Sequence, residues 1–197
     1  MALRAAKSAR TGLRPARSRA GALRAHLRRH GLVAYATRAS FGLGCDPRDV
    51  RALRRLLALK RRPKSKGLIV IAAGWQALQP FAQPPGAEIL ARAAEGWPGP
   101  RTWLFDVAAR VPGELRGRHR KIALRVDAHP DAVALCRSLG MALVSTSANR
   151  AGRRPIRTSR EILRQFGTSV ALVPGRTERR ARPSTIADPA SGRLIRR

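Results

Sequence analysis

The chain has 197 residues, of which 44% are hydrophobic, enough for one sizeable core and for one or at most two domains. Its 41 Lys and Arg residues against 11 Asp and Glu residues give a formal net charge of +30. Such a surface attracts polyanions such as RNA or DNA, whereas no apolar run approaches the roughly 20 residues that span a bilayer. We therefore expect nucleic acid as a partner, and no membrane.

Cysteines and candidate metal ligands are few. Cys45 and Cys136 lie far apart and outside any C-x-x-C pattern, which indicates a reduced, cytoplasmic setting without a disulfide framework. The four histidines are scattered and the acids are scarce. We therefore expect no zinc site and no two-metal site.

Residues 1–21 are expected to form a basic, flexible N-terminal tail, because Arg, Ala, Ser and Gly dominate them and no acid precedes Asp46. Three interpretations stay open: an organellar transit peptide, an RNA-contacting tail, or an over-extended start site. The segment lacks an apolar stretch, so a secretory signal is not expected.

Residues 22–197 are expected to form a single α/β domain with a twisted mixed sheet flanked by helices, since strand and helix patterns interleave without a repeat. One helix should begin at Asp46 as N-cap with Pro47 in its first turn, and another at the capping box Thr158–Glu161. Further helices are predicted at 23–29, 87–95 and 130–139. Strands are predicted at 32–36, 67–73, 102–107, 122–126, 141–144, 169–173, 184–187 and 193–195, and loops at 37–44 and 110–121.

The predicted strand 141–144 runs into Ser145-Thr-Ser-Ala-Asn149, which offers three hydroxyls and one amide before Gly152 and Pro155 break regular structure. Small hydrogen-bonding groups at a strand end are a common means of binding an anion or a nucleotide. They also satisfy local backbone groups. Both interpretations remain open from these residues alone.

The segment 60–66 places five cations in seven residues, directly before a buried strand. These cations could complement a helix dipole in solvent, or they could bind a polyphosphate. Neither a G-x-x-x-x-G-K-[ST] loop nor a G-x-S-x-G elbow is present, and no pair of carboxylates suggests acid–base catalysis. An enzyme of this composition would rely on positioning and on positive charge around phosphates.

Six segments, in order and in spacing, support a resemblance. They are YATRASFGLG at 35–44, KRRP with KGLIVI over 60–71, WPGPRT at 97–102, ALRV at 123–126, STSAN at 145–149 with Ala151-Gly152, and RPSTI at 182–186. Together they resemble the YrdC/TsaC family, the threonylcarbamoyl-AMP synthases, across residues 22–197.

The resemblance implies an α/β fold with a concave, basic cavity that makes threonylcarbamoyl-AMP and pyrophosphate from L-threonine, bicarbonate and ATP. The product would serve the threonylcarbamoyladenosine modification of position 37 of tRNAs that read ANN codons. Proteins of the TsaD, TsaB and TsaE type would be partners. Magnesium would be bound mainly through the ATP phosphates and water.

The resemblance also implies site residues, position by position. ATP would be bound by Lys60, Arg62, Lys66, Ser147 and Asn149. Threonine would be bound by Thr37, Arg125, Thr146 and Ser184, with Arg125 paired to its carboxylate. Ser145 receives no role, and no catalytic residue is assigned.

One segment departs from the family pattern. The family's P-T-E is Ala36-Thr37-Arg38 here, so that a proline is lost and a negative charge becomes positive beside the implied threonine site. This departure and the net charge motivate an alternative function. The chain would then be an RNA-binding YrdC-like protein of tRNA or rRNA maturation, with little or no synthase activity.

Overall fold

The computed structural model describes residues 16–178 and 180–196 of the chain. The helices of this part are α1 Ala16–Arg28, α2 Val50–Lys60, α3 Ala87–Ala94, α4 Gly113–Arg116, α5 Pro130–Leu139 and α6 Ser159–Phe166. The strands are β1 Val33–Ala36, β2 Phe41–Gly44, β3 Ile69–Ala72, β4 Arg101–Asp106, β5 Lys121–Val126, β6 Leu143–Ser147, β7 Ala171–Leu172, β8 Thr185–Ala187 and β9 Leu194–Arg196.

All these strands join one sheet in the order β7-β1-β2-β6-β3-β5-β4-β8-β9. Three neighbouring pairs are parallel (β1–β7, β3–β5 and β4–β8), and the other five are antiparallel, so the sheet is mixed. The predicted α/β fold with a mixed sheet and flanking helices is confirmed. None of the described helices is long and apolar enough to cross a membrane.

Helix α1 begins seven residues before the helix predicted at 23–29, and it enters the segment that was assigned to the tail. Two hydrogen bonds anchor it, because Arg24 donates from Nε to the Leu139 carbonyl at 3.0 Å and from Nη2 to the Ser138 carbonyl at 2.7 Å. These carbonyls end α5, where a cation is favourable. The part of the predicted tail at 1–15 lies outside the described residues.

The loop prediction for 37–44 was wrong at its second half, which is strand β2. Gly42 and Gly44 lie in this strand and serve close packing against its neighbours. A Cβ atom on Gly44 would lie 2.2 Å from the carbonyl oxygen of Val144 on β6. Glycine is therefore needed here because a neighbouring backbone approaches closely, which is the other use of glycine inside a strand.

The predicted start of α2 was also wrong by one turn. Asp49 is its N-cap and accepts hydrogen bonds from the backbone N–H groups of Arg51 and Ala52. Asp46 instead accepts from the Arg48 N–H at 2.9 Å, in a turn before the helix. The capping box between Thr158 and Glu161 was predicted correctly and begins α6. Within the predicted loop 110–121, residues Gly113–Arg116 form the one-turn helix α4.

The register of the central strands explains where the site lies. Leu143 pairs with Ile71, and these side chains pack under α5 with Leu135 and Leu139. One row along the same face, Ser145 pairs with Ile69, and Ile69 pairs with Ala123. This second row lies beyond α5 and lines a cavity, because residues two apart on a strand share a face.

Candidate active site

A cavity of about 980 Å³ opens over the uncovered row of the sheet. Its walls are the turn between β1 and β2, the loop between α4 and β5, the loop between β5 and α5, and the segment from Glu178 through β8 to β9. Loops from distant parts of the chain thus meet at one side of the sheet. A ligand of nucleotide size fits a cavity of this volume.

The cavity wall is strongly cationic. Among the described lining residues the carboxylates are Asp127 and Glu178. The lysines and arginines in the same lining are Arg38, Arg62, Arg116, Arg120, Lys121, Arg125, Arg157, Arg182 and Arg196. Guanidinium groups bind phosphate and carboxylate oxygens through paired hydrogen bonds, so the cavity suits an anionic ligand.

Three guanidinium groups lie close enough to influence one another. Burial, followed by repulsion from Arg125 and Arg62, lowers the pKa of Arg196. Burial also lowers the pKa of Arg62, whose Nη2 donates to the Gly67 carbonyl at 2.8 Å while its Nε is buried without a partner among the described residues. A bound anion would relieve the repulsion, so this part of the wall suits a phosphate group.

Lys60 lies behind this wall rather than in it. Its side chain is 3% exposed, and Nζ donates to the carbonyl oxygens of Ser147 and Asn149, the latter at 2.8 Å. Burial, followed by repulsion from Arg62, lowers the pKa of the Lys60 ammonium to about 8. Lys60 therefore holds the end of β6 through two carbonyl groups. It also places beside this strand end an ammonium group that loses its proton more readily than an exposed lysine does.

The side chains at this strand end are themselves ordered by hydrogen bonds. Ser147 Oγ donates to Asn149 Oδ1 at 2.6 Å, and Asn149 Nδ2 donates to the Arg153 carbonyl at 2.6 Å. Ser147 lines the cavity, whereas Asn149 supports it from the side. Lys60 at the end of α2 and the residues at the end of β6 thus form one hydrogen-bonded cluster.

A buried ion pair forms the opposite wall. Arg125 donates from Nε at 2.9 Å and from Nη2 at 2.5 Å to Oδ2 of Asp127, and the two side chains are 10% and 6% exposed. Oδ1 of Asp127 accepts the backbone N–H of His129 at 2.9 Å. Nδ1 of His129 is buried without a partner among the described residues. Asp127 thus holds Arg125 in one orientation.

Thr37 and Ser145 approach each other across Gly42. A Cβ atom on Gly42 would lie 3.2 Å from Thr37 Cγ2 and 3.5 Å from Ser145 Oγ. Thr146 also borders the cavity, but it pairs with Leu43 of the larger core. Strand alternation therefore directs the Thr146 side chain to the opposite face from Ser145.

Ser184 joins the cavity to the last strand. Its Oγ accepts a hydrogen bond from Thr102 Oγ1 at 3.3 Å, and its carbonyl accepts one from Arg196 Nη2 at 3.0 Å. Ser184 and Arg196 both line the cavity. Arg196 is consequently held at the cavity by the residue that directly precedes the neighbouring strand β8.

The structure brings most of the predicted residues together, though not all in the predicted way. Arg62, Ser147, Thr37, Arg125, Thr146 and Ser184 line the cavity. Lys60 and Asn149 support its wall, and Lys66 is exposed outside the lining. Sequence reasoning missed Asp127, His129, Glu178 and Arg196, and the one available signal was that Asp127 and His129 closely follow Arg125 in the chain.

No group of three or more His, Cys, Asp or Glu residues that could hold a metal ion occurs within residues 16–178 and 180–196. Cys45 and Cys136 are both buried and unpaired. The deeper end of the cavity presents hydroxyl groups, guanidinium groups and the carboxylate of Asp127, which is already paired with Arg125.

Comparison with known proteins gives consistent matches. The threonylcarbamoyl-AMP synthase of Chromobacterium violaceum is 52% identical over 173 residues, which are 88% of this chain and 90% of that protein. The threonylcarbamoyl-AMP synthase of Methylobacillus flagellatus is 52% identical over 178 residues, 90% of this chain and 99% of that protein.

Among solved structures, P. abyssi Sua5 complexed with L-threonine superposes with a TM-score of 0.79 at 26% identity, over 89% of this chain and 52% of that one. The chain thus spans about half of P. abyssi Sua5. E. coli YciO shares the fold, with a TM-score of 0.78 at 22% identity, over 92% of this chain and 90% of that one. The model of the Sua5/YciO/YrdC family, described as "Telomere recombination", matches residues 25–197, and the chain belongs to this family.

Proposed function

We propose that the protein is a threonylcarbamoyl-AMP synthase, a nucleotidyltransferase that forms threonylcarbamoyl-AMP and pyrophosphate from L-threonine, bicarbonate and ATP. The observation that carries the proposal is the convergence of Arg62, Arg125 and Arg196 on one cavity beside the ordered end of β6. Relatives that are 52% identical over nine-tenths of their length bear this enzyme's name, which supports it.

The proposed ATP end of the cavity is the wall made by Arg62, Ser147 and Arg196, with Lys60 and Asn149 behind it. In the reaction, a carbamate oxygen formed from threonine and bicarbonate attacks the α-phosphate, and pyrophosphate leaves. Guanidinium groups placed in advance stabilise the charge that develops on the phosphates, which supplies catalysis without a carboxylate pair. Lys66 would act at longer range, because its side chain is exposed.

The proposed threonine end is the wall made by Thr37, Ser145, Arg125 and Ser184. Arg125 would pair its remaining Nη1 with the threonine carboxylate, while Asp127 keeps the guanidinium plane fixed. Ser145 takes the position first assigned to Thr146, because its side chain faces the cavity. Thr146 would contribute only its backbone groups to the cavity wall.

We further propose that magnesium arrives with ATP, held by phosphate oxygens and water, since the cavity's deeper carboxylate is already bound to Arg125. The product would pass to TsaD-, TsaB- and TsaE-type proteins for modification of tRNA position 37. The two buried thiols suit a cytoplasmic site of action.

A purified, folded preparation tests the proposal through pyrophosphate release. Release should require ATP, bicarbonate and threonine together, and omission of either co-substrate should reduce it to background. Arg125→Gln should raise the KM for threonine with little change in that for ATP, and Arg62→Gln should do the reverse. Release that ignores threonine and bicarbonate contradicts the proposal.

A second candidate function, RNA binding, is favoured by one surface. Six exposed arginines occur between residues 150 and 164, beside the cavity: Arg150, Arg153, Arg154, Arg157, Arg160 and Arg164. Such a surface contacts phosphates, and binding should weaken steeply with salt. Replacing Arg153, Arg154 and Arg160 by Gln should lower tRNA affinity while pyrophosphate release persists. Equal affinity of the wild type for tRNA and for heparin would contradict RNA-specific recognition.

A further inference from the structure

The segment after β7, residues 174–178, reaches the cavity at Glu178, and we call it the strap. Gly175 packs so closely that a Cβ atom there would lie 2.4 Å from Oδ2 of Asp131 and 2.7 Å from the Cβ of Ala36. The next backbone N–H, that of Arg176, donates to the same Asp131 oxygen at 3.1 Å. The start of the strap is therefore tied to α5 and to the end of β1.

The end of the strap is tied to Arg38, the residue that departs from the family pattern. The Glu178 N–H donates to the Arg38 carbonyl at 2.8 Å, and Arg38 Nε donates to Glu178 Oε2 at 3.1 Å. Both side chains line the cavity and are about half exposed, at 51% and 55%. The strap and the turn that carries Thr37 thus share a backbone hydrogen bond and an ion pair.

We propose that Arg38 and Glu178 are a positioning pair for threonine, in which the carboxylate that the family pattern has at position 38 is supplied by the strap instead. This inference rests on the proposed function. Arg38 directly follows Thr37, so a shift of its backbone moves a residue of the threonine wall. Among the described residues, no hydrogen bond or ion pair joins the pair to Lys60 or Arg62, so KM for ATP serves as the internal comparison.

Because Arg38 is paired with Glu178, restoring the glutamate of the family pattern at position 38 should impair the site instead of improving it. Arg38→Glu returns the family's glutamate but sets two carboxylates against each other about 3 Å apart, which is repulsive. Glu178→Arg sets two guanidinium groups together in a wall that is already cationic. The exchange of both residues restores the attraction with its polarity reversed. The pair is half exposed and its shared backbone hydrogen bond survives every change, so we expect effects of about two- to fivefold.

The experiment measures KM for threonine, KM for ATP and kcat for the wild type, both single variants and the double variant Arg38→Glu/Glu178→Arg. Each single variant should raise KM for threonine about two- to fivefold, and the double variant should return it to within about twofold of the wild type. KM for ATP should stay unchanged. The coupling should shrink at about 0.5 M salt because both partners are solvated.

The matched control is Arg54→Glu, the same charge reversal in the 2.8 Å ion pair with Glu114, outside the cavity. It should leave KM for threonine unchanged. A double variant no better than the worse single variant, or an equal rise in KM for ATP, would overturn the positioning role.

Calorimetric titration of the same proteins with threonine separates this proposal from the proposed function. Threonine binding by the wild type that weakens in the single variants and recovers in the double variant supports the pair, even if no adenylate is made. An inactive wild type that binds threonine would overturn the synthase function alone. A wild type that neither binds threonine nor turns over would overturn both.

Discussion

Lys60 is a buried charge directly behind the wall that we propose binds the nucleotide. Its side chain is 3% exposed, and its contacts are the carbonyl oxygens of Ser147 and Asn149. Because burial lowers its pKa to about 8, below the 10.5 of an exposed lysine, the folded state binds fewer protons between these pH values. The cost of burying the ammonium group lowers the free energy of unfolding in full below pH 8, and it disappears as the pH rises from about 8 to 10.5.

The lowered pKa of Lys60 predicts a pH-dependent affinity for ATP. Between pH 7 and pH 9 the ammonium loses its charge, so KM for ATP should rise about three- to tenfold. Lys60→Arg keeps its charge at every accessible pH and should flatten the profile. A wild-type profile as flat as that of the variant, measured by pyrophosphate release at saturating threonine, would contradict a role for this charge.

We propose that Asp127 influences threonine binding through Arg125, the guanidinium group that it holds in place. Asp127→Asn leaves a buried guanidinium with a neutral partner, so the free energy of unfolding should fall by about 3 kcal/mol. Because Arg125 also loses its fixed orientation, KM for threonine should rise more than tenfold, while KM for ATP changes little. Urea denaturation and steady-state kinetics measure the two effects. A loss of stability with an unchanged KM for threonine would make Asp127 purely structural.

At the scale of single elements, strand β2 decides whether the cavity can form. It lies between β1 and β6, and so it holds the turn that carries Thr37 beside the strand that carries Ser145. Its two glycines allow that approach. The prediction of a loop failed here because the reason for the glycines lies in a partner strand about 100 residues away, which local propensity does not report.

Gly44→Ala tests this explanation directly. The added methyl group would lie 2.2 Å from the Val144 carbonyl, so strands β2 and β6 must separate, at a cost of about 2 kcal/mol or more. Gly21→Ala is the matched control, since nothing lies within 4 Å of the new atom. Because Gly21 is inside α1, that variant should gain about 0.5–1 kcal/mol. Equal denaturation midpoints for the two variants would contradict the account.

At the scale of the whole molecule, the sequence predicted the helices and strands better than the side-chain contacts between them. A helix-ending glycine located α5 to the residue, and a continuous apolar run located β3 to within two residues, because both signals are local in the sequence. The position of Ser145 relative to Thr146 needed the strand register. The contacts of Arg196 and Glu178 could not be predicted, because their partners lie far away in the chain. Those of Asp127 lie in a turn, and the pattern of apolar residues carries no information about a turn.

The net charge of +30 is also distributed in a way that composition alone does not reveal. Nine of the lysines and arginines line the cavity, and others cover the surface between residues 150 and 164. The same composition therefore serves two proposed purposes. Phosphates of a small nucleotide would meet the first set, and those of a nucleic acid the second.

The measurement that bears most directly on the proposed reaction follows the carbon of bicarbonate. The folded protein is incubated with ¹³C-bicarbonate, threonine and ATP, and the adenylate is analysed by mass spectrometry. The account predicts a threonine-containing AMP adduct that carries the label and forms in proportion to pyrophosphate. Less of it should form at subsaturating threonine when Arg125 is replaced by Gln, and at subsaturating ATP when Arg62 is replaced by Gln. An adenylate without the label, or ATP cleavage without any threonine adduct, would contradict it.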